Sequence, residues 1–186
     1  MGTIKSKFKR TKSGRRAKPV KLPESSSARK TVDPRLPFNN YRQIFSIRNA
    51  WKTVARSLED TAKDHLIRFL ARCPNYKESF SGIGNLNTEE EMRESLEFET
   101  HAVNLFGLFD DVISNLENVD AALSDIHDAA QSSLMSEALV KDMEETFYET
   151  LRTVLDDRFT DALKENYTLL YSFITTEIQK ACGATG

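Results

Sequence analysis

From Asn40 onward, apolar residues return at intervals of three and four, and no stretch alternates polar and apolar residues over a strand's length. That spacing puts the apolar side chains on one face of an α-helix. The first such segment runs from about Asn40 to Ser57, with Ile44, Ile47, Trp51 and Val54 or Ala55 on one face. The second covers about Asp60 to Arg72, with Ala62, Leu66, Phe69 and Leu70 inward. It stops ahead of Pro74, because the residue before a proline is pushed out of the helical region. Residues 74 to 88 keep no period and hold Gly82 and Gly84, so they read as irregular. Thr88 followed by Glu91 has the spacing of a capping box, in which two side chains satisfy two free N–H groups at a helix start. The region it opens runs to about Leu116, with a stripe of Phe98, His101, Leu105, Leu108, Val112 and Leu116. A short helix follows near Val119 to Ala130, then two long ones at about Glu137 to Asp157 and Thr160 to Ala181. Their stripes are Met143, Phe147, Leu151 and Val154, and Leu163, Tyr167, Leu170 and Ile174. Residues 37–186 therefore read as one all-α domain without an internal repeat.

The first 36 residues follow another rule. Four of the five prolines fall at or before Pro37, Ser25, Ser26 and Ser27 sit among basic residues, and there is little to bury, so a disordered tail is expected. The net charge of −2 over 186 residues conceals the contrast. Residues 1–36 carry 12 Lys and Arg against 2 acids, net +10, and the remaining 150 residues carry 14 against 26, net −12. Met1-Gly2-Thr3-Ile4-Lys5-Ser6 fits the pattern for myristoylation at Gly2. One acyl chain holds a bilayer only marginally, and the basic run behind it supplies the second signal, at ~1 kcal/mol for each cation near anionic lipid. The expectation is a lipid-anchored tail at the inner face of the plasma membrane, opposed by a solvated, nuclear-localisation or RNA-binding segment. Phosphorylation of Ser13 would put about two negative charges into the patch and weaken such an anchor. Cys73 and Cys182 form neither a disulfide framework nor a metal quartet, and no apolar signal segment precedes the tail, which favours a reducing, cytoplasmic setting. No run approaches the ~18 apolar residues of a membrane span, so membrane contact would be peripheral.

Ile47-Arg48-Asn49-Ala50-Trp51, Pro74 followed six residues later by Phe80, Glu97-Phe98-Glu99-Thr100-His101-Ala102, Phe159-Thr160 and Leu170-Tyr171 form one series in the right order. In these segments the domain resembles the globin family, most closely its neuroglobin-like and nematode-type members, over residues 38 to 181. The resemblance implies a globin-like fold of about seven to eight helices and a bound haem b, with its iron. Within it, His101 corresponds to the distal histidine, Phe80 to the phenylalanine packed on haem, Leu66 to a pocket-lining position of the second helix and Leu105 to the apolar distal position.

The chemistry of such a pocket stands on its own. A haem needs a flat apolar slot, an axial nitrogen from one side and a controlled polar group on the other. His101 lies on the stripe with Leu105 and Leu108, a costly place for an imidazole without a partner. A core histidine bonded to backbone is the plainer reading. On the proximal side the family's usual spacing from His101 lands on Ala130, with Gln131 adjacent, and no histidine follows His127. His127 stands one turn early, on the stripe of Val119, Leu123, Ile126 and Ala130, and is expected to point inward as the candidate proximal ligand. Haem held through His101 alone and a haem-free fold kept as a protein-binding module are the competing outcomes.

His65 reads as structural, Trp51 as core, and Ala62 and Ala102 as small residues at a close helix crossing. Cys73 reads as an inert thiol. Acidic runs such as Glu89-Glu90-Glu91 and Asp156-Asp157 read as solvated faces. No hydrolase triad, phosphate loop or zinc spacing is present, so no enzyme is expected beyond weak haem redox activity. The function expected is a membrane-anchored haem globin that binds oxygen or another diatomic ligand or takes part in redox or oxygen sensing. The alternative is a haem-free regulatory or protein-interaction module at the membrane. Partners would be the gas, anionic lipids through the tail, and a reductase or signalling protein. The −12 domain would repel phosphates, so no specific nucleic acid is expected.

Overall fold

A computed structural model describes residues 30–132 and 135–183 of the chain. Among these residues there are seven α-helices and no strand: α1 (Tyr41–Val54), α2 (Leu58–Arg72), α3 (Glu89–Glu94), α4 (Leu96–Ser114), α5 (Val119–Gln131), α6 (Glu137–Leu155) and α7 (Asp161–Gly183). Short 3₁₀ turns at Ala55–Ser57, Pro74–Ser79 and Asp156–Arg158 join some of them. Gly2, Ser13 and most of the basic tail lie outside the described residues. The compact helical unit begins at Thr31, ahead of the expected start at residue 37. Leu36 and Phe38 flank Pro37 and are both buried in the core, and Arg35 reaches Asp120 at 2.6 Å. Basic, proline-rich composition masks this apolar clip, because two buried side chains barely register in a window dominated by charge.

Capping residues and Pro74 mark several of the helix boundaries. Thr88 and Glu91 form the expected capping box at the start of α3. The single region expected from there to Leu116 is divided at Ser95, which is extended (φ −80°, ψ 124°) and whose hydroxyl accepts the Phe98 N–H at 3.2 Å. A serine that caps a new helix offers its backbone an alternative to continuing the old one. Pro74 begins the turn after α2, as its missing N–H favours.

Helix α2 packs against α4, α5 packs against both α4 and α7, and α1 packs against α4, α6 and α7. Ala62 on α2 and Ala102 on α4 are both sealed from solvent. An aromatic cluster fills the centre: Trp51 lies 5.6 Å from Phe106 and 6.4 Å from Phe147, and Phe109 stacks on Phe147 at 4.4 Å. Such pairs add about 0.5–1.5 kcal/mol each beyond the area they bury. The polar edges of the cluster are satisfied. Trp51 Nε1–H donates to Asp110 at 2.6 Å, and the Tyr171 hydroxyl donates to the Val140 carbonyl at 2.6 Å. Burial raises the hydroxyl pKa of Tyr167 and Tyr171 well above the ordinary tyrosine range.

Candidate functional site

The site grows from the irregular segment between the Pro74–Ser79 turn and α3. Phe80 leaves that turn in an extended conformation and is almost wholly buried. Gly82 follows with φ +81°, a left-handed conformation that glycine reaches without strain, and a Cβ there would press to 3.2 Å from the Glu97 side chain. The segment folds back on itself through the Lys77 ammonium, which donates to the Leu86 carbonyl. The Ser81 carbonyl lies within reach of α4.

His101 meets that carbonyl. It stands half-buried on α4, with Nε2 2.8 Å from the Ser81 oxygen and its ring centroid 5.4 Å from that of Phe80. A carbonyl only accepts, so Nε2 carries a proton and donates it to Ser81. Nδ1 is buried and has no hydrogen-bond partner. Leu105, one turn further along α4, and Leu66 on α2 are both buried, as expected. The structure thus joins His101 and Phe80 directly and buries the two leucines on the paired helices α2 and α4. The Ser81 carbonyl went unforeseen; its only sequence signal is Gly82, which marks a backward turn beside the histidine.

Helix α5 differs from expectation. His127 is exposed, not inward, which corrects its placement as an interior ligand. The buried row of α5 is Val119, Ala122 and Ile126, and each helical residue turns the side chain by about 100°. His127, next to Ile126, therefore leaves the core face, while Leu123 and Ala130 lie at its edges and are half-buried. Gln131 is exposed.

These residues fit a haem on one side only. A buried ring nitrogen with no hydrogen-bond partner, an aromatic wall and two sealed leucines suit its distal face. On α5, His127 is the sole imidazole among the described residues, and it faces solvent.

His65, the third histidine, is fully enclosed. Its Nδ1 lies 3.3 Å from the Thr150 hydroxyl, which itself donates to the Thr146 carbonyl at 2.9 Å, so Nδ1–H is the donor. Its Nε2 has no partner, and the ring rests 5.1 Å from Phe106. Burial pushes its pKa down to about 3, with a smaller contribution from the Arg68 charge. The expected structural role accords with this position on the back of α4.

Comparison with known proteins brings these features together. The globin family model matches residues 63–178. Cytoglobin-2 of Danio rerio is 31% identical over 78 residues, 42% of this chain and 44% of that protein. Cytoglobin-2 of Oryzias latipes is 30% identical over the same length and shares. The alignment thus spans under half of either relative. Among solved structures, a hexacoordinated haem protein from an anhydrobiotic tardigrade superposes with a TM-score of 0.73 at 26% identity, covering 81% of this chain and 98% of that one.

Proposed function

This chain belongs to the globin family, and on that premise we propose that it binds haem b and, through it, oxygen or another diatomic ligand, or reports redox state. The observation that carries the reading is the buried, unpartnered Nδ1 of His101 beside Phe80. Leaving a polar nitrogen so placed costs about 1–3 kcal/mol, which a bound group at that point would recover. Bound haem would supply an iron able to take a diatomic ligand or exchange an electron. The chain's own residues then have defined tasks. Phe80, Leu66 and Leu105 exclude water and fix a flat apolar wall. His101 holds a nitrogen at the distal face, and the Ser81 carbonyl fixes its tautomer and orientation. Weak redox activity would accompany this role, and the protein would act as a ligand binder, not an enzyme.

The test is a haem titration of the full chain followed by optical absorption, for wild type, His101→Ala and His127→Ala. We expect a Soret band for wild type, a displaced band and weaker retention for His101→Ala, and no change for His127→Ala. A wild type without a Soret band would overturn the haem reading.

A second reading has its own observation: the exposure of His127 and the alanine at position 130 favour a haem-free globin-fold regulatory or protein-interaction module. The same titration decides between the two.

The basic tail supports a further part of the proposal, namely anchoring at the cytosolic face of the plasma membrane by an acyl chain on Gly2 and by Lys and Arg on anionic lipid. Such tethering fits signalling or exchange with a reductase better than bulk oxygen storage. Membrane association in cells that persists unchanged in Gly2→Ala would refute it.

A further inference from the structure

Helix α1 carries no acidic residue, although it belongs to a domain whose net charge is −12. Its outward face is a stripe at three- and four-residue spacing: Arg42, Phe45, Asn49 and Lys52, with Arg56 in the turn that follows. All five are exposed, and Phe45 keeps 56% of its surface open, a large aromatic ring with nothing over it. Arg42, Lys52 and Arg56 make no ion pair or hydrogen bond among the described residues, whereas Arg48, just off the stripe, is bound to Glu117 at 2.5 Å.

The stripe is a ridge between two hollows. On one side a cavity of about 320 Å³ opens between α1 and α4, where Phe45, Arg48, Lys52, Trp51 and Ile113 are among its walls. On the other a cavity of about 540 Å³ opens toward the Asp156–Arg158 turn and the start of α7, with Arg42, Phe45, Ala50, Leu155, Arg158 and Leu163 contributing. Phe45 and Asn49 line both. Each hollow joins an apolar floor to a cationic rim. In the second hollow Arg42 and Arg158 outnumber Asp157; in the first Arg48 is paired with Glu117, and Lys52 stands beside Asp110, which accepts from Trp51.

We propose that the α1 face is a docking surface for an acidic, amphipathic peptide segment of a partner protein, with carboxylates on Arg42, Lys52 and Arg56 and an apolar side chain in each hollow. Charge selects this occupant. The domain's net negative charge disfavours an anionic segment, and among the described helices α1 alone carries no Asp or Glu, so this face is where such a segment can land. The stripe from residue 42 to 56 is about 20 Å long, enough for roughly 14 helical residues laid alongside. Two hollows either side of a ridge suit separate side chains from a peptide, and suit a flat bilayer poorly. The inference is independent of haem.

The experiment is a display selection of random 14-residue peptides on the full-length protein, with counter-selection on the triple variant Arg42→Glu, Phe45→Ser, Lys52→Glu. All three side chains are exposed, so the variant should match wild type in circular dichroism and melting temperature. We expect the enriched peptides to combine Asp or Glu with two or more large apolar residues. Fluorescence anisotropy should show at least tenfold weaker binding to the triple variant, and smaller losses for Phe45→Ala and Lys52→Glu alone. Binding should also weaken from 50 to 300 mM salt. No enrichment, or peptides indifferent to the triple variant, would overturn the proposal. So would stripe-dependent binding of phosphatidylserine vesicles in the absence of peptide binding, or self-association that Phe45→Ser abolishes, each of which assigns the face to another occupant.

Discussion

His101 and His127 have similar neighbours in the sequence and opposite fates in the fold. His101 stands three residues after Phe98 and four before Leu105; His127 stands four after Leu123 and three before Ala130. The first is tucked under Ser81 with one nitrogen sealed inside, and the second faces water. What separates them is the centre of each stripe. On α4 the buried positions are Phe98, Ala102, Leu105, Phe106, Leu108, Phe109, Val112 and Ile113, a broad face over 19 residues that includes the direction of His101. On α5 only Val119, Ala122 and Ile126 are buried over 13 residues, and that narrow face excludes a residue about 100° away. A histidine at apolar spacing is interior only where the face is wide enough to reach it.

The largest effect expected on the α4 side comes from Phe80→Ala. Truncating a fully enclosed phenylalanine removes its transfer energy and leaves a cavity, together about 3–5 kcal/mol. Urea unfolding of the haem-free protein should show that loss, along with faster hydrogen exchange in α4 than in α5. A loss under 1 kcal/mol would mean that Phe80 is not a wall of the site, and the contrast between the two sides would collapse.

The regions that were legible in the sequence follow the same logic. Long stripes such as Ile44, Ile47, Trp51 and Val54, or Leu163, Tyr167, Leu170 and Ile174, name their helices because many turns agree on one direction. Family spacing named Phe80 and His101 as site positions, and in the fold their ring centroids lie 5.4 Å apart. The break at Ser95 was hidden because Leu96 keeps the apolar rhythm across it while remaining exposed. The hold of the Ser81 carbonyl on His101 depends on a turn at Gly82 and on contacts twenty residues apart, which no local pattern contains. The inward placement of His127 failed because one residue of phase on a short helix decides between core and solvent.

The next effect is acid sensitivity on the back of α4, where His65 lies against Phe106. In the unfolded chain the imidazole has its ordinary value of 6.5, and in the fold burial holds it at about 3. Above 6.5 both states are neutral and the full stability is present. Below it the unfolded chain takes up a proton that the fold refuses, so stability falls by about 1.4 kcal/mol for each pH unit, or about 2 kcal/mol by pH 5. Unfolding free energies of wild type and His65→Leu between pH 7 and pH 5 should therefore diverge in slope, whatever their offset at pH 7. Equal slopes would show that His65 does not carry this term.

The smallest effect is the sharpest test of the comparison. His127→Ala should change stability by less than about 0.5 kcal/mol, as surface substitutions outside caps and networks do. Alanine is the better helix former, so the sign should favour the variant slightly. An interior histidine would behave otherwise: its removal would leave a cavity and cost several-fold more. Thermal unfolding of the haem-free protein reads this directly, free of any question about axial ligation. A loss above 2 kcal/mol would place His127 inside and restore the symmetry between α4 and α5. A value near zero leaves α5 with no interior imidazole, so that any haem this chain holds is gripped chiefly from the His101 side.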